Sequence, residues 1–125
     1  MPVVDEQFRR KLLFTDKASG ITAWIVDGEY VRDVYSVEFV EGGNHYRDDY
    51  APFIPEGDVW LEETLNVREQ QYTLLHELHE RALIKFKGLS YEEAHADASR
   101  VEKEAREFPE RTKQLLVEVL EENRR

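Results

Sequence analysis

Hydrophobic and polar residues follow different patterns in the two halves of the chain. In the first half, "ITAWIV" and "YVRDVYSVEFV" are rich in β-branched and aromatic residues, which predicts two strands. Asp27-Gly28 lies between them and is a strong hairpin signal. Asp5 to Leu13 predicts a short amphipathic helix before these strands, and "VWLEE" predicts a third, short strand after them.

From about Val67 the apolar residues recur at every third or fourth position, which is the spacing of an amphipathic helix. Gly88 is a suitable end for this helix. Ser90 begins a second helix, because Glu93 three residues later completes a capping box. Pro109 stops that helix or opens a third one. The second half therefore predicts two or three packed helices.

The order of these elements predicts the fold class. We expect the 125 residues to form a single domain, mainly β over 1–63 and helical over 64–125. A long loop is expected over 41–58, which holds three of the six glycines and two of the four prolines. Strands followed by helices favour an α+β fold, in which helices cover one side of a small antiparallel sheet.

An excess of acidic residues restricts the classes of partner. The net charge is −10, from 27 acids and 17 bases. We expect no nucleic-acid partner, because phosphate binding needs clustered Lys and Arg, and no membrane partner, because anionic lipids repel an acidic surface. The lack of cysteine excludes disulfides and thiolate chemistry. Without a secretory signal or a long apolar run, a cytoplasmic protein is expected. The composition leaves the oligomeric state open.

The stretch "LLHELHER" concentrates metal-capable side chains on the first of the predicted helices. His76 and Glu80 are four residues apart and share a face, as the two zinc ligands of an HExxH helix do. The string here is HExxE, and a carboxylate oxygen is an acceptable zinc ligand. Glu77 is expected on the solvent side, in the position of a general base. His79 lies nearer the apolar stripe, so the choice between His79 and Glu80 as ligand stays open, although a buried, hydrogen-bonded role is favoured for His79.

A further ligand is expected from the second helix, where His95 and Glu102 are seven residues apart and project from one side. If the two helices are antiparallel about Gly88, Glu102 faces His76, and His95 lies nearer Leu83. His95 and Glu102 would then be about 10 Å apart along the axis. One of them is therefore expected to bind the metal while the other orients a ligand, unless two metals are bound.

The predicted loop adds further candidates for acid–base chemistry or for covering the metal. Gly42 and Gly43 would let the backbone bend close to such a site. The candidates in "GGNHYRDDY" are His45, Asp48, Asp49 and Tyr50.

The spacing of these residues resembles the plan of gluzincins, in which an HExxH helix is followed by a second helix that supplies a glutamate. Glu102 comes 26 residues after His76. The resemblance implies a zincin-like helix hairpin, with a variant residue at the second ligand position.

Residues from about 40 to 106 also resemble a family of small, largely uncharacterised phage and prokaryotic proteins. That family carries a (Y/F)IP-x-x-x-(I/V)W-(I/L) segment, then HELHE, then Y-x-x-AH-x-x-A-S-x-x-E. The matching residues here are Phe53-Ile54-Pro55, Val59-Trp60-Leu61, His76 to Glu80, Tyr91, Ala94-His95, Ala98-Ser99 and Glu102. The resemblance implies a zincin-like metal site, although the family has no established activity.

Taken together, these patterns predict a zinc-dependent hydrolase, in the first place a peptidase acting on peptides or proteins. Zinc or another divalent metal would be held by His76, Glu80 and either Glu102 or His95, and Glu77 would activate a water. The third predicted strand would be an edge strand that pairs with an extended peptide. Two alternatives are a metal-stabilised binding protein without turnover and an acidic phage-type interaction module without metal.

Overall fold

A computed structural model describes residues 6–46 and 51–124 of the chain. Within these ranges the structure has four strands and four helices, which confirms the expected α+β class. The strands are β1 (Arg9–Asp16), β2 (Ile21–Val26), β3 (Gly42–Asn44) and β4 (Asp58–Glu62). The helices are α1 (Gly28–Val34), α2 (Val67–Lys87), α3 (Tyr91–Glu107) and α4 (Thr112–Glu122). Short 3-10 turns precede β1 and α4, at Glu6–Phe8 and Pro109–Arg111.

The four strands form one mixed sheet in the order β1-β2-β4-β3. β1 pairs antiparallel with β2, and β3 pairs antiparallel with β4. β2 and β4 are parallel, with Trp24 opposite Trp60. The expectation of an antiparallel sheet is therefore wrong, because the chain leaves β2, passes through α1 and β3, and returns as β4 in the direction of β2.

Strand β4 is the predicted "VWLEE" strand, and it lies in the interior of the sheet. It pairs with β2 on one side and with β3 on the other. The expectation that this strand binds a peptide as an edge strand is therefore wrong, because its backbone hydrogen-bonding groups face two partner strands. Among the described residues, β1 and β3 form the two edges of the sheet.

Asp27-Gly28 begins a helix instead of turning a hairpin. The Asp27 carboxylate accepts a hydrogen bond from the Tyr30 N–H at 3.2 Å and so caps α1. The Gly28 N–H donates to the Glu62 carboxylate at 3.1 Å. Aspartate is a preferred N-cap as well as a turn former, so the local signal suits both structures. At this helix start Gly28 makes a buried contact with Glu62, 34 residues further along the chain.

The amphipathic helix expected from Asp5 to Leu13 is also wrong, since Arg9–Asp16 forms β1; Asp5 lies outside the described residues. The pairing of β1 with β2 shifts register between Arg9 and Lys11 and again between Leu12 and Phe14. These irregularities break the strict two-residue alternation by which a strand is recognised in a sequence. Pairing with the buried strand β2 stabilises this segment, whereas a short isolated helix is marginal in water.

Both faces of the sheet are buried, by different groups of side chains. On one face Ile21 and Leu61 pack in a cluster with residues of α2, α3 and α4. The other face buries Val26 and Trp60 against α1 and the loops, so the expectation that helices cover only one side is wrong. The other aromatic residues of this second cluster are Phe8, Trp24, Tyr30, Tyr35, Phe39 and Phe53.

The predicted helix boundaries in the second half are confirmed. α2 ends at Gly88, which has the left-handed φ of 65° that glycine adopts readily. Ser90 and Glu93 form the expected capping box at the start of α3. Pro109 follows α3 and opens the 3-10 turn before α4. α2 and α3 pack against each other as a helix hairpin. Across residues 6–46 and 51–124, no helix combines the length and apolar character needed to cross a membrane.

Candidate metal centre

Helix α2 carries a run of buried polar side chains. His76, Glu77 and Glu80 are only 7%, 3% and 0% exposed. The expectation that Glu77 lies on the solvent side is therefore wrong, because β3 packs across this face of α2. Burying a carboxylate is costly unless cations or hydrogen-bond donors surround it. The partners of these side chains therefore decide what the group can do.

Three atoms suitable as metal ligands converge between α2 and α3. His76 Nε2 lies 3.2 Å from Glu80 Oε2 and 3.2 Å from His95 Nδ1. His95 Nδ1 lies 3.1 Å from the same Glu80 oxygen. The three atoms form a nearly equilateral triangle, and this group can hold a metal ion. The His95 side chain is 43% exposed, so the triangle is reached from the α3 side.

The triangle fits a divalent metal by distance and by chemistry. Tetrahedral zinc with bonds of about 2.0–2.1 Å holds neighbouring ligand atoms about 3.3 Å apart, close to the three distances between His76, Glu80 and His95. Two imidazole nitrogens and one carboxylate oxygen are ligands that zinc accepts, and such a set leaves a coordination position for water. The same ligand set suits ferrous iron. The same three distances also suit hydrogen bonds, so a protonated His76 ring can hold the group together in place of a metal ion.

The other ring nitrogen of His76 is oriented by Glu102. His76 Nδ1 and Glu102 Oε1 are 2.9 Å apart, so Glu102 faces His76 as the helix spacing predicts. Because a carboxylate accepts hydrogen bonds, the proton sits on Nδ1, and the lone pair of Nε2 is directed at the triangle in the neutral ring. A carboxylate behind a histidine is a common device for orienting a metal ligand.

The His95 side chain reaches both His76 and Glu80, although the expectation from the sequence places His95 nearer Leu83. Glu80 comes eight residues before Gly88 and His95 comes seven after it, so His95 stands opposite Glu80. His76 is four residues from Glu80, about 6 Å along the axis, and its side chain spans that distance. His95 therefore joins His76 and Glu80 in the triangle, while Glu102 bonds to the other ring nitrogen of His76.

Asn44 on β3 completes the group, and no motif in the sequence marks it as a site residue. Its Nδ2 donates to Glu77 Oε1 at 2.8 Å and to Glu80 Oε1 at 3.3 Å, and Asn44 is fully buried. Its Oδ1 accepts from the Tyr46 N–H at 3.0 Å, which fixes the orientation of the amide. The "GGN" sequence is the available signal, since a Cβ at Gly42 would lie 2.8 Å from Thr73 Cγ2. The glycine lets β3 approach α2 as expected.

The remaining sequence candidates lie elsewhere or outside the described residues. His79 is buried between two carboxylates, with Nε2 2.6 Å from Asp97 Oδ2 and Nδ1 2.9 Å from Glu122 Oε2. Its predicted role as a buried, hydrogen-bonded histidine is confirmed, and Glu80 takes the place beside His76. His45 Nδ1 donates to the Ile54 carbonyl at 2.7 Å and is not part of the triangle. Three loop candidates, Asp48, Asp49 and Tyr50, fall outside the described residues.

The charge of His76 balances the carboxylates around it. Burial lowers the pKa of the His76 imidazole, but hydrogen bonds to Glu102 and Glu80 and the charge of Glu77 outweigh burial and raise this pKa to about 10. Burial also raises the pKa of Glu102, and hydrogen bonds from His76 and Arg106 outweigh it, so that pKa lies below its ordinary value. The group therefore attracts a positive charge, which either a proton or a metal ion supplies.

A cavity of about 260 Å³ opens onto this group. Its wall includes His76, His95 and Glu77, so two of the triangle residues and the predicted general base face one space. The other lining residues are Val40, Glu41, Gly42, Thr73, Ser99 and Glu102. The cavity leaves space for a small polar molecule beside His76 and His95.

Comparisons with protein-family models, curated proteins and solved structures found no match to this chain. The resemblance to the HELHE family and to gluzincins stays a prediction from the motifs.

Proposed function

We propose that this protein is a zinc-dependent hydrolase whose metal is held by His76, Glu80 and His95. The observation that carries the proposal is the triangle of their ligand atoms at 3.1–3.2 Å, beside a cavity that Glu77 also lines. Three protein ligands with an accessible fourth position are the arrangement of catalytic zinc sites, whereas structural sites are closed by four protein ligands.

The surrounding side chains suit distinct roles in hydrolysis. A bound divalent metal lowers the pKa of a water and polarises the bond to be broken. Glu77 takes the proton from the attacking water and passes it to the leaving group. Asn44 holds Glu77 and Glu80 in place through one amide group. Glu102 keeps the proton of His76 on Nδ1.

Peptides are the substrates we propose. Gly42 of strand β3 lines the cavity, so a substrate in the cavity would lie beside this edge of the described sheet. A carboxylate ligand in place of the second histidine adds negative charge to the metal, which weakens its effect on the pKa of water. We therefore expect slower turnover than a site with three histidines would give, with metal binding retained.

Metal binding is tested by elemental analysis and zinc titration of the purified protein. We expect stoichiometric zinc in the unaltered chain and its loss in His76→Ala and His95→Ala. His45→Ala is the matched control, because His45 bonds to the Ile54 carbonyl and not to the triangle. Titration with Mn²⁺ and Fe²⁺ under the same conditions identifies the preferred metal. An unaltered chain that binds none of the three ions refutes the proposal.

Hydrolysis is tested with a peptide library and the metal-loaded protein. Glu77→Gln keeps the size and hydrogen-bonding capacity of the side chain but removes the base. We expect this variant to retain zinc and to lose about a hundredfold or more in rate. A loaded protein that cleaves no peptide contradicts the peptidase proposal.

One observation favours a second function, a metal-stabilised binding protein without turnover. His76 and Glu80 come from α2 and His95 from α3, so an ion would link the two helices of the hairpin. Removing the metal should then lower the melting temperature strongly, because an ion that binds only the folded state stabilises it. In this case Glu77→Gln leaves every function intact.

A further inference from the structure

Arg106, near the end of α3, joins two carboxylates that lie on different helices. Its Nη1 and Nη2 donate to the two oxygens of Glu69 at 2.9 and 2.8 Å. Its Nε donates to Glu102 Oε2 at 3.0 Å. Glu69 lies in the first turn of α2, so the Arg106 side chain bridges the open end of the helix hairpin, far along the chain from Gly88.

The guanidinium has little freedom in this position. A bidentate pair with a carboxylate fixes both the distance and the plane of the group. The Arg106 guanidinium carbon also lies 4.7 Å from the centre of the Tyr72 ring, a cation–π distance. Tyr72 is buried, at 4% exposed, and so provides a rigid base for the guanidinium. An isolated surface ion pair contributes little, but Arg106 is held by two carboxylates and a ring at once.

The two oxygens of Glu102 have separate tasks as a result. Oε2 accepts from Arg106 Nε, and Oε1 faces His76 Nδ1 at 2.9 Å. A carboxylate held at one oxygen by a fixed donor keeps its other oxygen in a set direction. Without Arg106, Glu102 could turn towards the solvent, since its side chain is 25% exposed. His76 would then lose the acceptor that keeps its proton on Nδ1.

We propose that Arg106 is a positioning residue of the metal centre, which acts through Glu102 to keep His76 Nε2 directed at the metal. The inference rests on the proposed metal site. The relay that we propose is the chain of hydrogen bonds from Glu69 through Arg106 and Glu102 to His76. Through this relay, the affinity for zinc depends on how α2 and α3 pack at the open end of the hairpin. A plain structural clamp would hold the two helices together without affecting the ligand.

The test is zinc affinity, measured by competition with a chelator, in Arg106→Met. We expect the dissociation constant for the neutral His76 ring, obtained from affinities measured at several pH values, to rise about tenfold, within the range found for residues that orient metal ligands. Lys103→Met is the matched control, because Lys103 is on the same helix and pairs with Glu107 away from the site; it should leave the affinity unchanged. Arg106→Lys restores the charge but not the bidentate geometry, so we expect partial recovery.

A double-mutant cycle shows whether Arg106 acts through Glu102. In a Glu102→Ala background, Arg106→Met should cause no further loss of zinc affinity, because the relay is already broken. Additive losses overturn the proposal, as does an Arg106→Met variant with unchanged affinity and only a lowered melting temperature. If circular dichroism shows that Arg106→Met does not fold, Glu69→Gln serves in its place. We expect Glu69→Gln to cause a smaller loss of zinc affinity. An unchanged zinc affinity in this variant would count against the relay. An unaltered chain that binds no zinc removes the metal site itself, whereas normal binding with no effect of these variants refutes only the role of Arg106.

Discussion

Zinc and a proton are expected to compete for His76. The hydrogen bonds to Glu102 and Glu80 raise the pKa of His76 to about 10, so the ring is a cation at neutral pH. Zinc needs the lone pair of Nε2, so the ring must lose a proton before it can bind the ion. At pH 7 this requirement costs about 4 kcal/mol, which lowers the apparent affinity for zinc about a thousandfold below that of the neutral ring.

Isothermal titration calorimetry measures this competition directly. Titrations at several pH values from about 7 to 9, in buffers with different heats of ionisation, count the protons released as zinc binds. We expect about one proton from His76 for each ion, and an affinity that rises about tenfold per pH unit. Glu102→Gln is the informative variant, because it weakens the hydrogen bond that contributes most to raising the pKa of His76. At about pH 9, the end of the range closest to the pKa of His76, this variant should release fewer protons than the unaltered chain.

A pH-independent affinity over this range would refute the reasoning. It would mean that His76 is already neutral, and that the carboxylates of Glu77, Glu80 and Glu102 are balanced in another way. A release of protons at about pH 9 that is the same in Glu102→Gln would show that they come from a different residue.

Three further predictions concern stability. Because the pKa of His76 is raised in the fold, the charge of His76 contributes fully to the stability of the metal-free protein below pH 6.5, the ordinary histidine pKa. This contribution is lost as the pH rises through about 10. Urea unfolding with a chelator at a series of pH values should show the decline. Asn44→Leu removes a donor from two buried carboxylates and should lower the free energy of unfolding by about 1–3 kcal/mol; an unchanged urea midpoint would mean that water replaces the amide. Gly88→Ala forces a side chain into the left-handed region at φ 65° and should cost about 1 kcal/mol, which thermal unfolding detects beside the exposed control Lys87→Ala.

The local order of the helical half was predictable from the sequence. The capping box of Ser90 and Glu93 and the helix end at Gly88 depend on contacts within a few residues, and both are present as predicted. The shared face of His76 and Glu80 follows from the helix period alone. The meeting of His76 with Glu102 followed from counting residues on either side of the turn. In each case the contact lies within one helix or one tight hairpin.

The environment of the site was decided by tertiary structure. Asp27-Gly28 suits both a hairpin and a helix start, and the chain takes the helix start, where the Gly28 N–H donates to the distant Glu62. That choice sends the chain across the sheet, places β4 in its interior and brings β3 over α2. The approach of β3 buries Glu77 and supplies Asn44, neither of which a helix pattern reveals. Sequence periodicity reports which face of an element is apolar, whereas the partner that covers a polar face depends on contacts between residues distant in the chain.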